Sequence, residues 1–211
     1  MGLYSGITVH VSEGMSVSRF LDWIEDHEIE LAYFPTPILE TPPSSRETAT
    51  SLKKFMGFAL NAELTHLVEE RFNVLTRDSF GMTEVGVGLL VPDTVNSDAA
   101  LDSCGLPAPF RDVKIVDDNG DEVESGSPGE LWMKGPGIIN GYYKKPKANK
   151  ETFVDGWFRT GDVFIADALG FYTIVGRMKD MIRRSMENIS ALEVETAILS
   201  KQGVQDAAVI A

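Results

Sequence analysis

Apolar positions recur along this chain in two rhythms, and the rhythm changes near Phe80. From Gly6 to Arg71 strand-like and helix-like patterns alternate. The β-branched "GITVHV" predicts a short strand. "SVSRFLDWIEDHEI" places Phe20, Leu21, Ile24 and Ile29 at helical spacing with charges between them. "ELAYF" predicts another strand. "NAELTHLVEERF" predicts a second amphipathic helix, with Leu64, Leu67 and Val68 on one face. The Pro/Ser/Thr-rich "PTPILETPPSSRETATS" between them predicts a loop.

From about Phe80 to Val175 the texture is short strands and glycine-rich turns. "VGVGLLV", "VKIVDD", "GELWMKG" and "GFYTIVG" predict strands, and "DDNGDE" and "SGSPGE" predict turns. "KPKANKETF" predicts one helix among them. Beyond Arg177 the short "MIRRS" has a mixed pattern. "SALEVETAILS" predicts a helix opened by a capping box, with Ser190 three residues before Glu193. "DAAVIA" predicts the beginning of a strand, within which the sequence stops; an unpaired apolar edge of this kind is the sign of an incomplete domain. The expected fold class is α/β: an α/β layer, then a small distorted antiparallel β-barrel, then the start of a small α+β domain.

Charge narrows the function. The 211 residues carry 19 basic and 32 acidic side chains, a net charge of −13. That balance argues against nucleic acid and anionic membrane as partners, because both attract cations. It leaves anionic small molecules open, since a site needs only local donors. The single cysteine, Cys104, excludes an internal disulfide and suits a reducing compartment, so a cytoplasmic location is expected. No apolar run approaches the ~20 residues of a membrane-spanning helix. His10, His27 and His66 lie far from Cys104 and lack metal-ligand spacing; they read as ordinary helix or strand residues. Trp23, Trp132 and Trp157 read as core or barrel anchors.

Two stretches carry candidate chemistry. In "DSFGMTE", Phe80 offers a face for a base and Gly81 a close backbone approach. The Thr83 hydroxyl can donate to a phosphate oxygen. Glu84 can hold Mg²⁺, a hard cation that usually shares its oxygen ligands with phosphates. The same residues also make a plain strand–turn–strand with a solvated glutamate. In "GWFRTGDV", Asp162 follows Gly161 at the end of an aromatic strand. A carboxylate has two oxygens and can accept from two adjacent hydroxyls, as ribose presents them. Arg177 in "GRMKD" could add to that grip, or it could pair with Asp162 as a salt bridge in a hairpin.

Taken together and in order, "DSFGMTE", "GELWMKGPGIINGYYKKPKANKETFVDGWFRTGD" and "GRMKDMIRRSMENISALEVE" resemble the adenylate-forming superfamily of acyl- and aryl-CoA synthetases, peptide-synthetase adenylation domains and luciferases. The resemblance implies an ATP-dependent carboxylate–CoA ligase. A small-molecule carboxylic acid, ATP with Mg²⁺, and coenzyme A as acceptor would be its partners. It implies adenine stacking on Phe80, where the family more often has Tyr, and α-phosphate contact by Thr83. Glu84 would hold Mg²⁺, Asp162 would take the ribose hydroxyls, and Arg177 would stand nearby. Gly81 and Met82 would line the nucleotide, and Gly57 in "FMGFAL" would stand beside the adenine. Thr83 and Glu84 would act in catalysis. Lys179 and Asp180 would form the hinge between a large domain, residues 1–178 (an α/β portion 1–84 and a barrel-like portion 85–178), and a lid beginning at 179–211.

Several family features do not appear among these residues. No Ser/Thr/Gly–Lys–Gly phosphate loop is present: "TPPSSRETATS" has no glycine to let its backbone cradle phosphate. The lid stops after one helix, before the family's terminal lysine. Met186 stands where the hinge motif has glycine. The resemblance therefore implies an incomplete chain that is inactive by itself, or a non-catalytic remnant that at most binds AMP or a partner protein.

Overall fold

The computed structural model of the protein describes residues 6–184, 187–201 and 203–209. The chain divides into two compact units, Met1–Asp78 and Ser79–Ala211. In the first, helix α1 (Val17–Asp26) leads to strand β1 (Leu31–Tyr33), a 3₁₀ turn (Thr36–Glu40), strand β2 (Lys54–Gly57), helix α2 (Ala62–Phe72) and strand β3 (Leu75–Met82). β1 pairs with β2, and β2 with Leu75–Asp78 of β3, all parallel. The α2 crossover makes β2–α2–β3 a βαβ unit. Asn61 caps α2 by accepting from the Leu64 amide at 2.8 Å, and Asn73 ends it in the left-handed conformation.

The core of this unit is aromatic. Phe55 on β2 is fully buried, with Phe34 and Phe72 edge-on to it at 5.1 and 5.3 Å between ring centroids. Phe20 and Ile24 from α1 and Val68 from α2 close around them. Two ion pairs accompany this core. Arg71 forks onto the Glu47 carboxylate at 2.9 and 2.7 Å, and Arg77 meets Glu69 at 2.7 Å.

Three expectations change here. "GITVHV" forms no strand: Ile7, Val9 and Val11 are 61%, 52% and 89% exposed, and β-branched residues become a strand only against a partner. His10 instead stacks on His27 at 4.5 Å. The buried face of α2 is Ala62, Thr65, Val68 and Phe72, while Leu67 faces water. The predicted loop contains the 3₁₀ turn, whose Ile38 is buried in the core.

In the second unit, Ser79–Met82 of β3 pairs antiparallel with β4 (Gly86–Leu90). After the short helix α3 (Asp98–Leu101), β4 also pairs with β5 (Leu106–Pro107). β6 (Asp112–Val116) and β7 (Gly129–Lys134) begin a curled antiparallel sheet. Helix α4 (Pro146–Thr152) leads into β8 (Phe153–Val154), which turns back into β9 (Trp157–Ala166). Asp155 and Gly156, at φ 50° and 80°, form that two-residue turn; two positive φ values define the tight hairpin type that Asp-Gly favours. β10 (Tyr172–Arg177) completes the order β10-β9-β7-β6. One 3₁₀ turn later, β11 (Met181–Arg184) pairs antiparallel with β12 (Glu187–Ser190), so the mixed pattern of "MIRRS" opens on a strand. Helix α5 (Ala191–Leu199) follows, with Ser190 accepting from the Glu193 amide as expected. Residues 204–209 form no strand, and the Val209 amide donates to the Glu195 carboxylate at 2.9 Å.

Leu131, Met133, Phe158 and Phe164, from alternate positions of β7 and β9, fill the core beneath the curled sheet together with Val85 and Leu89. The fold class is as expected: α/β, with an antiparallel half-barrel. Among the described residues no helix is long and apolar enough to cross a membrane.

Candidate functional site

Asp162 is aimed by two irregularities in its strand. Between the paired residues Glu130↔Val163 and Trp132↔Arg159, β7 contributes only Leu131, whereas β9 contributes Thr160, Gly161 and Asp162. On the other edge of β9, Val175 is skipped between Ile174↔Phe164 and Gly176↔Val163, after which Arg177 faces Asp162. Bulges re-aim side chains and sharpen local twist. The extra residues are tied down individually. Thr160 Oγ1 donates to the Leu131 carbonyl at 2.7 Å and accepts from the Asp162 amide at 3.1 Å. The Gly161 amide donates to Glu130 Oε1 at 3.1 Å. Gly161 has φ +72°, while a Cβ there would meet nothing within 4 Å; its glycine is required by backbone conformation and not by space.

The bulge leaves the Asp162 carboxylate buried, 1% exposed, with no directed hydrogen bond to either oxygen. Arg177 Nε stands 2.8 Å from Oδ1 as an ion pair, from a side chain that is half in water. Burial pushes the Asp162 carboxyl above its usual range; Arg177 draws it back and the nearby Glu130 charge adds to the rise. Buried polar atoms in folded proteins almost always have partners. A buried carboxylate whose Oδ2 has no partner and whose Oδ1 has only the Arg177 ion pair fits a ligand that supplies hydroxyl donors.

The Thr83–Glu84 turn is built differently. Phe80 and Gly81 lie on β3, and a Cβ at Gly81 would come within 2.4 Å of the Gly86 carbonyl oxygen. The close approach that this glycine permits is therefore to its own hairpin. Met82 packs into the second core, and the fully buried Val85 anchors the far side of the turn. Thr83 is exposed. Glu84 is half-buried, its carboxylate accepting from the Tyr142 hydroxyl at 2.9 Å and its carbonyl from the Ile139 amide at 2.9 Å. Tyr142 is in turn gripped by the Asn149 side chain, which accepts from its amide at 2.7 Å and donates to its carbonyl at 3.0 Å. Burial, then the Glu84 hydrogen bond, pushes the Tyr142 phenol above its ordinary range. Arg111 clamps the same region, donating to the Val85, Val87 and Pro136 carbonyls.

Both turns belong to one packed unit. The Phe80 ring lies edge-on to Phe164 at 4.9 Å, two residues along β9 from Asp162. From Glu84 a second path runs through Tyr142 to Phe153 at 6.4 Å and Phe158 at 5.4 Å, again on β9. Gly57 lies on β2 of the first unit, where a Cβ would collide with Leu60 and come within 3.2 Å of Asp78. Lys179 and Asp180 form the exposed 3₁₀ turn after β10. Met186 lies outside the described residues. Glu130, Tyr142 and Arg111 were missed by sequence reasoning. The available signals were a lone glutamate inside the apolar strand "GELWM", the tyrosine pair at 142–143, and a single arginine after "PAPF".

A family profile described as AMP-binding enzyme matches residues 1–143. The chain belongs to the AMP-binding enzyme family. Within that family it is 40% identical over 214 aligned residues to a feruloyl-CoA synthase of Amycolatopsis sp, covering 99% of this chain and 43% of the relative. It is 38% identical over 148 residues to a long-chain-fatty-acid–CoA ligase of Escherichia coli O6:H1, covering 68% of this chain and 26% of the relative. The chain therefore spans less than half the length of these curated relatives. Among solved structures, the O-succinylbenzoate coenzyme A synthetase of Bacillus subtilis in complex with ATP and magnesium ion superposes with a TM-score of 0.84. The identity is 28%, covering 98% of this chain and 44% of that one. The AMP complex of the same synthetase also gives 0.84.

Proposed function

We propose that this chain carries the nucleotide-contacting part of an ATP-dependent carboxylate–CoA ligase that works through an acyl adenylate. The observation that carries the reading is the Asp162 carboxylate, buried on β9 with Oδ2 unpartnered and Oδ1 met only by the Arg177 ion pair. The two adjacent hydroxyls of a ribose are hydrogen-bond donors of the kind such a carboxylate can take. Feruloyl-CoA synthase and long-chain-fatty-acid–CoA ligase among the relatives support the ligase class.

In the reaction a carboxylate oxygen bonds to the α-phosphorus of ATP, and the bond to the bridging oxygen breaks, so pyrophosphate leaves. A CoA thiol, losing its proton, then displaces AMP to give the thioester. The first step brings anions together, and at about 4 Å and an effective dielectric near 20 their repulsion is ~4 kcal/mol. Mg²⁺, when bound, supplies positive charge against that repulsion. On this reading Glu84 holds the metal; one protein carboxylate suffices for a cation that takes its remaining ligands from phosphate and water. Thr83, exposed on the same turn, donates to the α-phosphate. Phe80 lies against the adenine, with Gly81 and Met82 beside it on the same strand, and Arg177 balances the charge of Asp162. Lys179 and Asp180 absorb the torsion of a lid between the two steps.

Calorimetric titration with AMP tests the nucleotide reading. Binding by the wild-type chain and its loss in Asp162→Ala support it. Absence of binding in the wild type favours the alternative that the Arg177–Asp162 ion pair is a structural hairpin bridge, in a chain with no catalytic role of its own. Incubated by itself with ATP, Mg²⁺ and a panel of carboxylic acids, the 211-residue chain is expected to release no pyrophosphate, because its residues include no phosphate loop.

A further inference from the structure

The side chain that ties down the Asp162 turn is a second carboxylate. Glu130 on β7 is 5% exposed and gathers four donor atoms: Trp132 Nε1 at 2.8 Å, Arg159 Nε at 3.0 Å and Nη2 at 2.8 Å, and the Gly161 amide at 3.1 Å. These donors meet both oxygens of the buried carboxylate. The donors divide between the two oxygens: Oε2 takes the indole and the guanidinium, leaving Oε1 to the Gly161 amide. Arg159 also lies across the Trp132 ring at 5.4 Å, which limits the ways in which this cluster can rearrange.

Asp162 is thereby bracketed. The residue before it is held by the Glu130 side chain, and the residue after it, Val163, faces the Glu130 backbone across the strand pair. Thr160 fixes the Asp162 amide itself. Without the Glu130 acceptor, the half-buried Gly161 amide would lose its partner at the most permissive backbone position of the strand. We propose that Glu130 is the positioning residue of this turn: its carboxylate locks Gly161 so that both Asp162 oxygens face one diol. The functional half of this inference rests on the nucleotide reading of Asp162; the structural half does not.

Glu130→Ala and Glu130→Gln test it in the whole chain, by amide hydrogen exchange and by AMP titration. Glu130→Ala is expected to speed exchange at Gly161 and Asp162 by about tenfold or more, while the amides of β6 change little. Glu130→Gln keeps an acceptor but loses the charge, and falls between. AMP affinity is expected to fall about ten- to a hundredfold in the alanine variant and less in the glutamine variant, in the range set by supporting residues at other sites. Unchanged exchange at Gly161 overturns the proposal. So does an equal loss of protection across β6, which would make Glu130 a general support of the sheet, and so does a loosened turn with unaltered AMP affinity. If the wild type takes up no AMP, the nucleotide reading fails by itself, and the exchange measurement still decides whether Glu130 holds the turn. Should Glu130→Ala not fold, the glutamine variant is judged by the same criteria.

Discussion

Arg177 and Asp162 face each other across the β9–β10 pair, with Nε 2.8 Å from Oδ1, yet the aspartate is buried and the arginine half in water. The pair is lopsided: burial raises the Asp162 carboxyl more than the arginine lowers it. An acid whose folded-state pKa lies above its unfolded value contributes stability that is complete below the unfolded value and lost as pH rises through the folded one. Ionisation of Asp162 therefore costs the fold stability. Asp162→Asn is expected to melt at or above the wild-type temperature at pH 7, with the gap closing as the pH falls through the Asp162 folded value. The same variant is expected to lose AMP binding. Melting curves at several pH values check this; a markedly lower melting temperature at pH 7 would show that the ion pair is a net support.

Gly81 separates a ligand requirement from a hairpin requirement. Its Cβ would stand 2.4 Å from the Gly86 carbonyl oxygen, and backbone cannot yield as a flexible side chain does. Gly81→Ala is expected to destabilise the second unit by about 1–3 kcal/mol with no nucleotide present, the range for forced overpacking. Denaturant unfolding followed by hydrogen exchange in β4 measures it. Unaltered stability with weakened AMP binding would reassign the glycine to the ligand.

The residues that announced themselves in the sequence were those whose chemistry is local. "SALEVE" displayed its own cap, and Ser190 does accept from the Glu193 amide. The short strands and the glycine-rich turns between them pointed to the half-barrel. What stayed hidden was register. The spacing of "RTGD" contains nothing that says three residues will oppose one, so the aim of Asp162 appears only in the paired strands. Glu130 acts on Gly161 from 31 residues away, and Tyr142 on Glu84 from 58, through contacts that no sequence window spans. "GITVHV" failed in the opposite sense: its strand propensity was plain, but propensity without a pairing partner leaves Ile7, Val9 and Val11 exposed.

Tyr142 sets the free orientation of Glu84. A hydrogen bond to a charged acceptor contributes about 1.5–3 kcal/mol, enough to choose one rotamer of a half-buried glutamate. Tyr142→Phe keeps the ring against Phe153 and removes only the donor. If Glu84 holds Mg²⁺, the variant is expected to need roughly tenfold more Mg²⁺ for half-maximal enhancement of ATP binding, with AMP binding in the absence of metal unchanged. An equal loss for both nucleotides would place the tyrosine in general packing instead.

The first unit depends on a carboxylate of opposite character. Glu47 is buried and held below the usual carboxylate range chiefly by its hydrogen bonds to Arg71, against the cost of burial. Its contribution is therefore present above the unfolded pKa, about 4, and is lost as the pH falls through the lower folded value. Arg71 has further partners in the Thr41 hydroxyl and the Leu39 carbonyl, but both are long, at 3.3 and 3.4 Å, and neither carries charge. Glu47→Ala would leave that guanidinium buried without its anion, which elsewhere costs about 3–5 kcal/mol. Exchange protection at Phe55 and Phe72 is expected to collapse in this variant, while that of Leu131 and Phe164 in the other unit is retained. In the wild type, acid should loosen the first set along the same course. Parallel loss in both sets would show that the two units unfold as one, and would remove Glu47 as a local determinant of the first.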